Sequence, residues 1–133
     1  MTIFDEIQAS IARLAENAGP SVAGIGQRWG VGSGIVLGEG RVLTNAHNVR
    51  GSQATVTFAG GRTAEGTVAG HDFDGDLAVI ETDTGQAAAL PWATAAPAIG
   101  TPVFALANPG GRGLRHRARR GAGADQRAQP PRQ

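Results

Sequence analysis

Short apolar stretches follow one another at close spacing between residues 22 and 107, most of them bounded by glycine. They fall at 22–27, 32–37, 41–46, 54–58, 62–70, 76–81 and 102–107. Ala54, Val56 and Phe58 alternate with Thr55 and Thr57, the period of a strand with one wet face. Gly38-Glu39-Gly40 and Gly60-Gly61 read as tight turns joining neighbours into hairpins. About six strands at this spacing predict an all-β chain built as a small closed barrel. Twenty-one glycines in 133 residues suit a chain of tight turns and bulges. That length holds one ordinary domain.

A helix precedes the strands. Thr2 is a candidate N-cap with Asp5 as its capping-box partner, and Ile3, Phe4, Ile7, Ile11 and Leu14 form one apolar stripe. Asn17-Ala18-Gly19-Pro20 ends it. Its polar face carries Arg13 as the lone cation, so it is expected to pack on the domain, not to lie on a membrane. Residues 83–101 are rich in Ala, Thr and Pro, with Trp92 expected as their one large apolar anchor.

The chemistry gathers at two strand ends. His47 closes the stretch Arg41-Val42-Leu43-Thr44-Asn45-Ala46, and 29 positions later Asp76 opens Leu77-Ala78-Val79-Ile80. Attack by a serine on an amide needs a neutral, rigidly held imidazole to take the hydroxyl proton. A carboxylate on the other ring nitrogen fixes its tautomer and stabilises the imidazolium. Asp72 and Asp74 are rivals for that second role. Asp76 is preferred because it directly precedes the apolar strand. A calcium loop fails on the same stretch: counted from Asp72, position six is Leu77 and position twelve Asp83, where glycine and glutamate are needed. His71 has no second histidine or cysteine beside it, so no metal site is expected. No cofactor is expected either. The chain has no lysine for a phosphate loop, and Gly24-Ile25-Gly26-Gln27-Arg28-Trp29 puts tryptophan where a dinucleotide fingerprint needs its third glycine.

Thr44-Asn45-Ala46-His47, then Asp76-Leu77-Ala78-Val79-Ile80, with Gly32-Ser33-Gly34 upstream, resembles the first half of the trypsin-like serine proteases, most closely the bacterial HtrA/Deg-type branch. The likeness runs from about Phe4 to Leu114 and includes a helix before the first strand. It implies the first barrel of a double-barrel fold, and a serine endopeptidase acting on protein or peptide substrates in protein quality control. His47 would be general base and then acid, with Asp76 its orienting partner. The family order is His, Asp, Ser. The serines here are Ser10, Ser21, Ser33 and Ser52, and the resemblance places Ser33 on a structural strand. No Gly-x-Ser-Gly turn follows Asn108-Pro109-Gly110, and cysteine is absent. The expectation is a truncated enzyme without nucleophile or second barrel, inactive in proteolysis. Its uncovered barrel face would favour self-association.

Charge divides the chain. Residues 1–111 hold five arginines and ten acids, a net −5, and residues 112–133 hold seven arginines and one acid, a net +6. The pI of about 9.0 therefore describes the tail, and a nucleic-acid-binding domain is a poor reading. The tail has no apolar period and is expected to be disordered, its composition suggesting an out-of-frame continuation. The organisation read here is a helix at 1–19, a barrel at 20–111 and an Arg-rich tail at 112–133. The alternative is a non-enzymatic scaffold or binding module whose tail contacts nucleic acid or anionic surfaces. The start of the chain has Asp5 and Glu6 in place of a leader's basic end, and no apolar run reaches the roughly 20 residues of a membrane span. That points to the cytoplasm, although the family is often periplasmic or secreted.

Overall fold

The computed structural model describes residues 1–26 and 32–107, and the backbone of 115–116. Six antiparallel strands close into a barrel: β1 (Val22–Ile25), β2 (Gly32–Gly38), β3 (Arg41–Thr44), β4 (Gln53–Thr57), β5 (Thr63–Asp72) and β6 (Leu77–Glu81), in the order β1-β2-β3-β6-β5-β4. The closing seam is short: Gly24 faces Thr57 and Ile25 faces Val56, with the Gly26 N–H donating to the Thr55 carbonyl at 2.9 Å. Register shifts at 36–38 and 68–70 mark bulges that let so small a barrel curl.

The expected alternation holds. Ala54 and Val56 point inward from β4, Val42 from β3, and Ala78 and Ile80 from β6. With Ala23, Ile25, Val36 and Phe58 they fill the interior, as side chains do in barrels of this size. Both predicted turns form, with Gly60 and Gly61 at φ +88° and +94° and Gly40 at +74°. The left-handed region these turns need is open to glycine at no steric cost.

Three expectations change. The helix α1 (Ile3–Ala18) forms with the predicted Thr2–Asp5 capping box, but none of its residues is buried and Phe4 is 78% exposed. Ile3, Phe4, Ile7 and Leu14 of its apolar stripe stay exposed. Gly19 keeps right-handed angles (φ −52°, ψ −46°) and leads into the 3-10 turn Gly19–Ser21, so no left-handed reversal folds the helix back. Trp92 is 70% exposed and not a buried anchor; Ala87 of that segment packs on the core. The seventh stretch forms only β7 (Leu106–Ala107), which pairs with β8 (Arg115–His116) outside the barrel. Closure through β1 and β4 leaves no edge for a seventh strand. The turn expected at Arg28-Trp29-Gly30-Val31 and the rest of the tail lie outside the described residues. Among the described residues, no helix is long and apolar enough to cross a membrane.

Space at β5 sets a testable limit. A Cβ on Gly66 would collide with Ile80 Cγ2 and lie 3.0 Å from the Glu81 carbonyl oxygen, whereas one on Gly70 meets nothing within 4 Å. Gly66→Ala should lower stability by about 1–3 kcal/mol through overpacking. Gly70→Ala should be close to neutral. Urea midpoints of the two variants make the comparison.

Candidate active site

The site is assembled by the pairing of β3 with β6. Arg41, Val42, Leu43 and Thr44 face Glu81, Ile80, Val79 and Ala78 in turn. Beyond Thr44 the chain passes through extended Asn45 into a 3-10 turn, Ala46–Asn48, that carries His47. On the opposing side a tight turn delivers Asp76. Asp72 Oδ1 accepts the Gly75 N–H at 3.1 Å, and the Phe73 carbonyl accepts the Asp76 N–H at 3.3 Å. Asp76 itself sits at φ +54°, the one non-glycine residue with positive φ among those described. Aspartate tolerates that region better than most residues with a Cβ.

The structure brings His47 and Asp76 together. Asp76 Oδ1 accepts the His47 backbone N–H at 3.0 Å, and Oδ2 lies 2.6 Å from His47 Nδ1. With the carboxylate ionised and the imidazole neutral, Nδ1 carries the hydrogen and Nε2 is left as an acceptor. Among the described residues Nε2 has no hydrogen-bond partner. The His47 side chain is 68% exposed and that of Asp76 44%, so the carboxylate is less enclosed than a triad acid is expected to be. The His47 backbone N–H holds the Asp76 carboxyl below the usual carboxylate range, helped by the ring N–H; partial desolvation opposes this, and the charge of His47 and the Ala46 N–H add smaller contributions.

The rival acids have other places. Asp72 ties the turn, and Asp74 sits exposed within it. Among the described residues no three His, Asp or Glu side chains gather as a metal site. Ser33 lies in β2 opposite Gly24, and its carbonyl accepts the Thr44 hydroxyl at 2.8 Å. Ser10 is on α1, Ser21 is buried in the turn after it, and Ser52 is in the loop before β4.

A supporting layer escaped sequence reasoning. Buried Thr44 also accepts from Asn48 Nδ2 at 3.1 Å, and the Asn48 amide occupies the space a Cβ on Gly32 would need. Asn45 Nδ2 donates to the Asp76 carbonyl at 3.1 Å. Thr44 and Asn45 were visible as motif letters; their partners were not. Beside them runs a groove of about 210 Å³, lined among others by Ile35, Leu43, Thr44, Asn45, Leu77 and Leu106.

Residues 32–129 match the trypsin-like peptidase domain. The chain belongs to that family. Its relatives are HtrA/Deg-type serine proteases. PepD of Mycobacterium tuberculosis is 33% identical over 118 residues, covering 75% of this chain and 25% of PepD. Rv3671c of the same organism is 35% identical over 80 residues, covering 60% of this chain and 20% of Rv3671c. The crystal structure of a serine endoprotease from Yersinia pestis superposes with a TM-score of 0.69 at 30% identity, covering 78% of this chain and 41% of that one. An inactive form of Rv3671c gives 0.67 at 32% identity, covering 76% and 51%. This trypsin-like chain thus spans a quarter or less of PepD and Rv3671c, and about half or less of the two solved structures.

The Asp76 contacts predict a pH dependence. Because the folded carboxyl titrates below its unfolded value, its contribution to stability is fully present above the ordinary aspartate pKa of about 3.9 and is lost as pH falls through the folded pKa. Carbon-detected NMR titration should find Asp76 below that ordinary value. His47→Ala should raise it only part of the way, since the backbone N–H, the larger cause, remains.

Proposed function

We propose that this chain carries the base half of an HtrA-type serine endopeptidase site, with His47 as general base and acid and Asp76 as its orienting carboxylate. The observation that supports this most is the 2.6 Å contact at Nδ1, which leaves Nε2 as the free acceptor. In such a reaction Nε2 takes the proton of an attacking serine hydroxyl and later returns it to the leaving amine of a cleaved peptide. Asp76 holds the tautomer and stabilises the imidazolium formed between those steps. A carboxyl is ionised at neutral pH as the role demands, and the paired N–H contacts extend that ionisation to lower pH.

The nucleophile and its oxyanion donors are, on this reading, not carried by these 133 residues. Ser33 fits a structural place in β2, and the family order puts the serine after the aspartate. The chain alone is therefore expected not to hydrolyse peptides. A fluorophosphonate probe should leave it unlabelled, and covalent labelling at any serine would overturn this assignment.

The same reading makes the groove beside Asn45 and the exposed Trp92, Ile99, Val103 and Phe104 surface that a second barrel would cover. In isolation the chain should self-associate. Sedimentation equilibrium and binding of an apolar dye report this; a monodisperse monomer that binds no dye would count against it.

A further inference from the structure

Asn45 stands where an N-cap stands. It precedes the turn Ala46–Asn48 with extended backbone angles (φ −80°, ψ 142°), yet its side chain makes no capping bond. An asparagine in that place ordinarily accepts from an N–H of the turn it begins. Here the side chain is turned away and donates, Nδ2 to the main-chain carbonyl of Asp76 at 3.1 Å. The turn is satisfied from the other side, by Asp76 Oδ1 accepting the His47 N–H at 3.0 Å. Each residue thus serves the other's segment: the amide of 45 holds the backbone of 76, and the carboxylate of 76 holds the turn that 45 begins.

We infer that Asn45 is a positioning residue for the His47–Asp76 pair, its amide fixing the Asp76 peptide in the left-handed conformation from which both carboxylate oxygens reach His47. This rests on the reading of His47 and Asp76 as base and orienting acid, and it names the residue that sets their geometry. A positive φ at a residue with a Cβ persists only where the surroundings over-determine it. Three groups of Asp76 are held in this way. Its N–H goes to the Phe73 carbonyl, its carbonyl is held by Asn45, and its carboxylate is held on His47. The first is long, at 3.3 Å, and the third is the functional contact itself. Asn45 holds the Asp76 carbonyl from outside both the 73–76 turn and the pair. Its residue also lines the groove beside the site, so the same side chain borders the space a partner surface would occupy.

The test is NMR on the 133-residue chain and its variants. In Asn45→Ala the His47 amide should exchange about fivefold faster, the effect of losing one ordinary hydrogen bond. The Asp76 carboxyl should titrate closer to the usual aspartate value. Amides of the β3–β6 ladder should keep their protection. Asn45→Gln, which retains an amide donor, should restore part of both readings. Unchanged His47 exchange and Asp76 titration in folded Asn45→Ala would overturn the inference. So would an equal loss of protection along the whole ladder, which would mark Asn45 as a general strut. Should Asn45→Ala not fold, Asn45→Leu keeps the approximate size and branching and removes the donor without adding a charge; parental protection of the His47 amide in that variant overturns the inference equally. Ordinary titration of Asp76 in the parent chain would instead sink the pairing of base and acid, whatever the variants do.

Discussion

The pairing of β3 with β6 is the constraint from which the rest of the site follows. Thr44 faces Ala78 in an antiparallel ladder, so the chain running on toward 47 and the chain arriving from 76 meet beyond that last pair. The same register sends Val42, Thr44, Ala78 and Ile80 into the interior. A slip of one residue would turn the slipped strand's pair outward, Val42 with Thr44 or Ala78 with Ile80. Packing therefore locks the register, and the register brings imidazole and carboxylate to 2.6 Å. Core and site are two readings of one alignment.

Much of this was legible in the residues themselves. The alternation through 54–58 and the glycine turns announced a small barrel, and six strands close it. Asp76 could be preferred over Asp72 and Asp74 because it opens an apolar strand, and the turn geometry gives those two other places. What could not be read is whatever depends on where separate segments meet. An amphipathic stripe says that a helix has an apolar side, not that a surface waits for it; α1 buries none of its residues. Apolar character at 102–107 signals β propensity, but a barrel already closed offers no partner edge. The bonds from Asn45 to Asp76 and from Asn48 to Thr44 join side chains to partners that no spacing rule connects.

Trp92, Phe104 and Phe4 share their exposure for a common reason. Among the described residues, the buried side chains that fill the barrel are mostly small or β-branched, with Phe58 the one ring among them. Large apolar groups elsewhere in the chain must find contacts outside this core or remain in water. The groove lined by Leu43, Leu77 and Leu106 belongs to the same outer surface, and it reaches the His47–Asp76 pair through Asn45.

The left-handed backbone at Asp76 carries a consequence for how this position can change over time. Glycine would relax the turn but delete the acid. Glutamate or a β-branched residue would answer neither the handedness nor the reach to His47. Asparagine would suit the backbone yet surrender the charge that steadies an imidazolium. On the proposed reading of Asp76, selection for a more robust scaffold and selection for proton transfer would pull against each other at one residue. A lineage that no longer needed the chemistry would be expected to drift toward glycine or asparagine there first, leaving the barrel intact and the histidine without its anchor.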